Sequence, residues 1–392
     1  MANQLSARIQ RVKPSPTLAI SALALQLKAE GRDIISLGLG EPDFETPEHI
    51  KQAGIEAIQN GITRYTAVDG MPRLKAAIQN KFQRDNGFEY ELNQVLVSTG
   101  GKQAIYNLCQ AVLNQGDEVI IPAPYWVSYP DMVSLADGVP VIVEAGQDSN
   151  FKLTPEKLQA AITDRTRIFF INSPSNPTGV MYSREELAAL GEVLLQHPKI
   201  IIATDDIYEH ILFDDNQFVN ILNATPELYD RCVILNGASK AYCMTGWRIG
   251  FAAGPADIIG AMKKVQSQST SNPCSVAQAA AIAALEADIS FLTPMLGAFS
   301  ERHQYVVKRL NQIDGVDCLP SDGTFYSFPN VENMIERVDG VNNDTDLCSH
   351  ILDKTGVSIV PGSAFGLAGH VRLSYATSME NLEEALNRIA SI

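Results

Sequence analysis

Positive charge is scarce in this chain. Its 392 residues hold 30 Lys+Arg against 45 Asp+Glu, which gives a formal net charge of -15. A surface of this kind repels phosphodiester backbones and anionic lipid headgroups, so nucleic acid and an anionic membrane are disfavoured as partners. An anionic substrate must therefore be attracted by individual cationic side chains, and single lysine and arginine positions become informative.

Cysteine and long apolar runs are also scarce. The six cysteines are scattered, form no C-x-x-C pair and have no metal-ligand spacing with the six histidines, so we predict free thiols, mostly buried, and no metal site. No segment approaches the ~20 apolar residues of a membrane span. The first residues lack the apolar core of a signal peptide. A reduced, cytoplasmic enzyme is expected.

The pattern that is present is an alternation of strands and helices. Hydrophobic residues make up 45% of the chain and charged residues 19%, which is typical of a globular protein. Strands are predicted at 95–98, 118–121, 139–143, 167–171, 200–204, 232–235 and 248–252. Helical runs between several of them, at 102–113, 155–162 and 184–196, favour a mostly parallel sheet covered on both faces, an α/β fold.

A second, smaller α/β unit is predicted at the chain ends. Beyond residue 254 come a helix at 255–268, a long helical run at 275–312 and short strands at 324–328, 357–360 and 370–374. We expect a large domain formed by 48–290. The small domain would combine 1–47 with 291–392.

Lys240 is the strongest candidate for chemistry. It follows an apolar strand and a small-residue turn, with Tyr242 and Arg248 as the nearest ionisable residues in sequence. An amine held against apolar surface and beside a cation has a lowered pKa, and a neutral amine attacks an aldehyde. The guanidinium of Arg248 suits a phosphate. A pocket for pyridoxal 5′-phosphate (PLP) is one interpretation, although a lysine followed by an arginine is common.

Three further features lie after predicted strands. Gly100 and Gly101 expose backbone N–H groups at a helix start, a natural anion site, although many such turns use glycine only for packing. Trp126 offers a flat face for a pyridine ring, with a buried core residue as the alternative. Asp205 ends an apolar strand and needs a cationic partner, which a protonated pyridine nitrogen would supply.

Several strings resemble the class I and II aminotransferases, which are fold-type I PLP enzymes. They are Ser-Lys-x5-Gly-x-Arg-x-Gly at 239–250, Gly-Glu-Pro-Asp-Phe at 40–44, Ser-Pro-Ser-Asn-Pro-Thr-Gly at 173–179, Asp-x-x-Tyr at 205–208 and the segment around Arg372. The resemblance covers nearly the whole chain. It implies a large domain with a mostly parallel, mixed sheet plus a smaller α/β domain, and a homodimer with active sites at the interface.

The resemblance also assigns roles. Lys240 would be the catalytic residue, bonded to PLP as a Schiff base and then acting as the base that moves the α-proton. The cofactor-binding residues would be Tyr65 (from the partner subunit), Gly100, Gly101, Lys102, Trp126, Asn176, Asp205, Tyr208, Ser239, Lys240 and Arg248. The substrate-binding residues would be Gly40, Lys102, Trp126, Asn176, Arg372 and Thr17. Where Asp206 stands the family usually has glutamate, so two adjacent carboxylates compete for one role; we favour Asp205.

The implied reaction is ping-pong transfer of an amino group between an amino acid and a 2-oxo acid. The sequences of the motifs and their order are most similar to those of the bacterial Ib subgroup of aspartate aminotransferases. In that subgroup a lysine at the position of Lys102 is linked with the distal carboxylate of aspartate or glutamate, although a lysine at a helix start is also common as a solvated charge. A threonine at the position of Thr17 accompanies amination of prephenate.

Two alternatives stay open. An alanine or aromatic aminotransferase, or a carbon–sulfur β-lyase, would keep Lys240 and Arg372 on the same scaffold. A PLP-binding regulatory module without turnover is the second alternative. Such proteins carry an added N-terminal DNA-binding domain, whereas here the enzyme motifs begin almost at once and the net charge opposes DNA binding.

Overall fold

The computed structural model describes residues 5–12 and 16–392, without the side chains of residues 16–19 and 21. The helices are α1 (Ala7–Gln10), α2 (Pro16–Ala29), α3 (Glu48–Gln59), α4 (Pro72–Asn86), α5 (Gly101–Val112), α6 (Tyr129–Leu135), α7 (Pro155–Ala161), α8 (Arg184–Leu195), α9 (Ile221–Ala224), α10 (Ala256–Ser267), α11 (Ser275–Glu286), α12 (Thr293–Leu310), α13 (Glu332–Arg337), α14 (Asp344–Thr355) and α15 (Met379–Ile389). The strands are β1 (Ile35–Ser36), β2 (Val95–Thr99), β3 (Glu118–Ala123), β4 (Val139–Glu144), β5 (Thr166–Asn172), β6 (Ile201–Asp205), β7 (Cys232–Gly237), β8 (Ile249–Ala253), β9 (Tyr326–Ser327), β10 (Val357–Ser358), β11 (Val360–Pro361) and β12 (Val371–Ser374).

A seven-stranded sheet organises the molecule, in the order β2-β8-β7-β6-β5-β3-β4. Strands β4, β3, β5, β6 and β7 run parallel, whereas β8 is antiparallel to both of its neighbours, β2 and β7. The predicted α/β fold and its mostly parallel, mixed sheet are confirmed. Because the carboxyl ends of parallel strands meet at one edge, the residues that follow β3, β5, β6 and β7 converge there.

The sheet is buried on both faces because its strands are apolar at nearly every position. On β5, Phe169 and Ile171 join one core cluster, and Ile168 and Phe170 join another. Helices α3, α4 and α11 contribute to the first core, and α5, α6 and α10 to the second. This two-sided burial explains the continuous apolar runs that predicted the strands.

The chain ends meet in two smaller sheets. β1 pairs in parallel with β10, and β11-β12-β9 form an antiparallel sheet. Strand pairing is shorter here than predicted: β9 covers two residues, and the strand expected at 357–360 is interrupted into β10 and β11. The pairing joins the N-terminal segment to the C-terminal part. The domain boundaries at 47/48 and 290/291 stay a prediction.

The predicted helical run at 275–312 is interrupted. Helix α11 ends at Glu286, Ala287 is extended, and Asp288 caps a short 3-10 turn by accepting a hydrogen bond from Ser290 N at 2.8 Å. The two halves, Ser275–Glu286 and Ile289–Leu310, meet at 99°. Among the described residues no single helix is long and apolar enough to cross a membrane, although this bent pair meets that test by length and composition alone.

The six cysteines are free, and four of them are buried: Cys109, Cys232, Cys318 and Cys348. Cys243 is half-buried and Cys274 is exposed. The described residues contain no group of three His, Cys, Asp or Glu side chains that could hold a metal ion.

Candidate active site

A cavity of about 390 Å³ lies at the carboxyl edge of the central sheet. Eleven of the predicted site residues line it: Gly40, Gly101, Lys102, Trp126, Asn176, Asp205, Tyr208, Ser239, Lys240, Arg248 and Arg372. Gly100 adjoins the cavity beneath Arg248. Tyr65 lies outside it and is 92% exposed. The side chain of Thr17 is outside the part of the chain that the structure describes.

Lys240 projects into this cavity from the turn after β7. Its Nζ donates a hydrogen bond to the backbone oxygen of Gly40. Loss of hydration in the cavity lowers the pKa of the Lys240 amine to about 8, and the positive charge of Arg372 adds to that effect. Tyr242, which the sequence suggested as a neighbour, faces away toward Phe291. Arg248 does act on Lys240, as the sequence suggested, and the other charged groups that act on it, Arg372, Glu41 and Asp205, come from distant parts of the chain.

Asp205 is the last residue of β6 and lines the cavity, whereas Asp206 does not. The Asp205 carboxylate accepts a hydrogen bond from the Tyr129 hydroxyl at 2.6 Å, and burial raises its pKa to about 6. Asp206 instead bonds to Thr204 Oγ1 at 2.6 Å and to Asn220 Nδ2. The geometry favours Asp205 for a cationic group held in the cavity, and the role itself stays a prediction.

Arg372 is one of two arginines that line the cavity, and the other is Arg248. Arg372 lies within β12, unlike Trp126 and Lys240, which come after strands. Its Nη1 donates to Asn176 Oδ1 at 3.0 Å and its Nη2 to Gly38 O at 2.8 Å. The guanidinium lies between the rings of Tyr326 and Phe365, 4.5 and 4.8 Å from their centroids.

The Nε donor of this fixed guanidinium is unused. Among the described residues, the buried Nε of Arg372 has no hydrogen-bond partner. Buried polar groups in native proteins are almost always paired, and an arginine presents its donors in a planar fork. Asn176 and Gly38 use only two of the five N–H groups of the guanidinium, so Arg372 has donors that suit both oxygens of a carboxylate.

Arg248 marks the second cationic end, and it precedes β8 instead of starting it as predicted. Its backbone has a positive φ of 58° and its Nη1 donates to Thr245 O at 2.8 Å. The guanidinium packs directly on Gly100, where a β-carbon would collide with it. This close approach places the guanidinium beside the backbone N–H groups at the start of α5, an arrangement that suits an anion.

Lys102 and Trp126 form one wall between the two arginines. Lys102 Nζ lies 4.9 Å from the centroid of the Trp126 ring, a cation–π contact. Burial, followed by the charge of Arg248, lowers the pKa of Lys102. Lys102 lines the cavity although its side chain is exposed, and Trp126 is half-buried at the cavity wall rather than in the core.

Three contributors to the site were not identified from the sequence. Tyr326 lines the cavity, and its hydroxyl lies 3.0 Å from that of Tyr208. Tyr129 bonds to Asp205 from behind the cavity. Glu41 lines the cavity and opposes the fall in the pKa of Lys240. Tyr129 lies three residues after the predicted site residue Trp126, whereas Tyr326 lies in a predicted strand without any motif.

Comparisons with known proteins agree with this arrangement. A family model described as "Aminotransferase class I and II" matches residues 32–389. An "Aspartate/prephenate aminotransferase" of Nitrosomonas europaea is 57% identical over 99% of both chains. One from Cereibacter sphaeroides is 55% identical over 98% of this chain and 97% of its own.

Solved structures give the same result. The aspartate aminotransferase of Rhizobium meliloti is 49% identical, with a TM-score of 0.97 over 100% of this chain and 98% of its own. That of Thermus thermophilus, solved with maleate, is 41% identical, with a TM-score of 0.93 over 100% of both chains. The motifs, the fold and the matched length together place this chain in the class I and II aminotransferase family.

Proposed function

We propose that this protein is a PLP-dependent aminotransferase that exchanges an amino group between aspartate or glutamate and the 2-oxo acids oxaloacetate and 2-oxoglutarate. The observation that carries the proposal is the position of Lys240. Its amine, with a pKa of about 8, lies in a cavity that Arg248 and Arg372 both line. Such an amine is partly neutral near pH 8 and is able to attack an aldehyde.

The residues of the cavity fit the parts of PLP. Lys240 would take its aldehyde, and the turn at Gly100 with Arg248 would take its phosphate. The absence of a side chain at Gly100 is what admits the Arg248 guanidinium. On Asp205, one carboxylate oxygen has a strong donor in Tyr129, and the other has a backbone donor at 3.4 Å, from Ile207 N. That second oxygen suits the protonated ring nitrogen of PLP, since a buried carboxylate is stabilised by a cation.

Bound PLP supplies an electron-withdrawing ring that makes the α-proton of an amino acid removable. The protein's own contribution is then orientation and proton movement. Arg372 and Asn176 hold the α-carboxylate, which fixes the Cα–H bond relative to Lys240 Nζ. The released Lys240 amine would take the α-proton and deliver it to the cofactor carbon that had carried the aldehyde. Trp126 would cover the face of the ring, and Tyr208 would donate a hydrogen bond to its phenolic oxygen.

Preference for a dicarboxylic substrate rests on Lys102. Its ammonium lines the cavity against Trp126, so its charge is available to a second carboxylate of the substrate. Two relatives carry the name "Aspartate/prephenate aminotransferase", and the Thermus thermophilus relative was solved with maleate, a dicarboxylate. We propose prephenate as an additional amino acceptor on the same basis, together with Thr17 in the stretch Lys13-Pro-Ser-Pro-Thr17.

The quaternary proposal is a homodimer. Tyr65 is 92% exposed in the loop between α3 and α4, and Arg248 is exposed at the phosphate end of the cavity. A second copy of the chain that covered this end would enclose Arg248 and would bring its own Tyr65 to the phosphate. The carboxylate end at Arg372, in contrast, is enclosed by the described residues of one chain.

A screen of half-reactions tests the proposal. Purified protein loaded with PLP is mixed with aspartate, glutamate, alanine or cystathionine, and loss of the visible cofactor band is followed. We expect fast reaction with aspartate and glutamate. The Lys102→Ala variant should slow these two by about ten-fold to one hundred-fold, the value of a charge-assisted contact, and should slow alanine much less. Prephenate should restore the band of the aminated enzyme.

A matched control is Lys199→Ala, which removes an exposed lysine that does not line the cavity. Equal slowing of aspartate and alanine in Lys102→Ala would remove Lys102 from the distal-carboxylate role. Release of pyruvate from cystathionine without conversion of aspartate would favour a carbon–sulfur β-lyase instead. Cofactor binding with no turnover of any amino acid would favour a regulatory module.

A further inference from the structure

Tyr129 contacts two walls of the candidate site without lining the cavity. It is the first residue of α6 and is 2% exposed. Its ring stacks on Phe170 at 4.9 Å with an interplanar angle of 10°. The centroid of the Trp126 ring lies 5.4 Å from that of Tyr129, with an interplanar angle of 85°. The ring is therefore held on two sides, and the direction of its hydroxyl is fixed.

That hydroxyl is directed at Asp205, with an O–O distance of 2.6 Å to Oδ2. Burial and the charge of Asp205 hold the pKa of Tyr129 well above its usual range, so the hydroxyl keeps its proton and is the donor. A donor at this distance to a carboxylate is a charge-assisted hydrogen bond. It stabilises the ionised form of Asp205 against the desolvation that opposes it.

The remaining groups around Asp205 do not replace this donor. Ile207 N is 3.4 Å from Oδ1, and Asn172 Nδ2 donates to the backbone oxygen of Asp205 rather than to its carboxylate. The charged or titratable groups that act on the site are Lys240, Tyr208 and Asp206. The Asp206 carboxyl bonds to Thr204 and Asn220, away from the cavity.

We propose that Tyr129 is a positioning residue that holds Asp205 as an oriented carboxylate and, through Asp205, keeps the ring nitrogen of the bound cofactor protonated. This inference rests on the proposed function. Tyr129 occupies one carboxylate oxygen and leaves the other for the ring. Its contact with Trp126 ties the orientation of this carboxylate to the wall that covers the ring face.

The consequence of losing the hydroxyl follows from the same contacts. Without the donor, Asp205 binds a proton more tightly, and the proton shared with the ring nitrogen moves toward the carboxylate. The ring then carries less positive charge. A ring with less positive charge opposes protonation of the nitrogen that joins Lys240 to the cofactor less strongly, so the pKa of that nitrogen rises. Such a ring also withdraws electrons less effectively from the reacting carbon.

The test uses the PLP-loaded enzyme and the variant Tyr129→Phe, which removes the hydroxyl and keeps the ring. Tyr182→Phe is the matched control, because it removes another buried tyrosine hydroxyl, which accepts a hydrogen bond from Leu153 N at 2.8 Å and does not contact Asp205. The visible absorption of the bound cofactor is titrated against pH. We expect its midpoint to rise by about half a pH unit or more in Tyr129→Phe and to stay unchanged in Tyr182→Phe.

Kinetics and a double-mutant cycle provide further readouts. We expect kcat to fall about ten-fold in Tyr129→Phe with KM changed less than about two-fold, since substrate binding at Arg372 is untouched. Asp205→Asn should have a larger effect, and adding Tyr129→Phe to it should cause no further loss. A positioning residue that acts through Asp205 has no effect once the carboxylate is gone.

Several outcomes overturn the proposal. An unchanged midpoint in Tyr129→Phe, a shift equal to that of Tyr182→Phe, or effects of Tyr129→Phe and Asp205→Asn that simply add would each show that the hydroxyl is only structural. Failure of the unmodified protein to form a visible complex with PLP would overturn the proposed function as well. The two failures are therefore distinguishable.

Discussion

Two lysines enclosed in this molecule have opposite surroundings. Lys81, on α4, has a side chain only 1% exposed, and it forms ion pairs with Glu209 and, at 3.6 Å, with Asp85. Asn86 Oδ1 accepts a further hydrogen bond from it at 2.9 Å. Lys240 reaches the backbone oxygen of Gly40 instead. Within the described residues no carboxylate lies within 4 Å of its Nζ.

The difference shows that pairing, rather than burial, decides what an enclosed lysine does. At Lys81 the positive charge is matched, and it lowers the pKa of Glu209 even though burial of that carboxyl acts in the opposite direction. At Lys240 the charges of Glu41 and Asp205 offset the loss of hydration only in part, and the pKa falls to about 8. The first lysine is a structural ion, and the second has the lowered pKa that the proposed reactive amine needs.

The largest expected effect comes from removing the reactive amine. Lys240→Ala should lower the transamination rate by about a thousand-fold or more, because the residue is proposed both to hold PLP and to move the proton. The fold should be retained, which circular dichroism checks. Residual activity within ten-fold of the unmodified protein would contradict the assigned role of Lys240.

The next effect concerns the structural ion. Lys81→Met leaves Glu209 buried without its main cation and should lower the free energy of unfolding by about 3 to 5 kcal/mol, measured by urea denaturation. Activity per folded molecule should change little, since Lys81 does not line the cavity. The double variant Lys81→Met/Glu209→Leu should recover much of the loss. A single variant as stable as the unmodified protein would remove the distinction between the two lysines.

The smallest effect is a pH dependence of stability in the PLP-free protein. The Lys240 amine has a folded-state pKa of about 8 and an ordinary value of 10.5. Between these values the unfolded chain binds more protons, so stability rises with pH; below about 8 the full desolvation cost is present. Lys240→Met lacks this cost. Its stability advantage over the unmodified protein should shrink by about 2 kcal/mol from about pH 7 to about pH 9.5. A constant difference in urea unfolding would show that the pKa of Lys240 is not lowered.

Much of the fold was predictable because the strands of the central sheet are buried on both faces. Apolar runs such as the one that forms β6 can be recognised in the sequence. The direction of β8 was not predictable, since periodicity says nothing about orientation. The helical run at 275–312 was interrupted by Ala287 and Asp288, an extended residue followed by a cap, which local helix propensity did not reveal.

The site was predictable where a motif carried it and was missed where only three-dimensional proximity does. Lys240 and Asn176 lie in specific strings, and both line the cavity. Tyr326 has no motif and reaches Tyr208 from 118 residues away. Glu209 follows Tyr208 in sequence. Its ion pair with Lys81, however, depends on a contact with helix α4, which lies much earlier in the chain.

The anchoring of Arg372 has a consequence for how the molecule matures. Its guanidinium bonds to Asn176, 196 positions earlier, and to Gly38, 334 positions earlier. Closing loops of this length is entropically unfavourable, so such contacts form late in folding. Gly100 and Arg248, which form the other half of the pocket, are both synthesised before Arg372, and the earlier parts of a chain fold first during synthesis. A newly made chain is therefore expected to form the proposed phosphate site before the proposed amino-acid site. Enzymatic activity should then appear only at the end of folding.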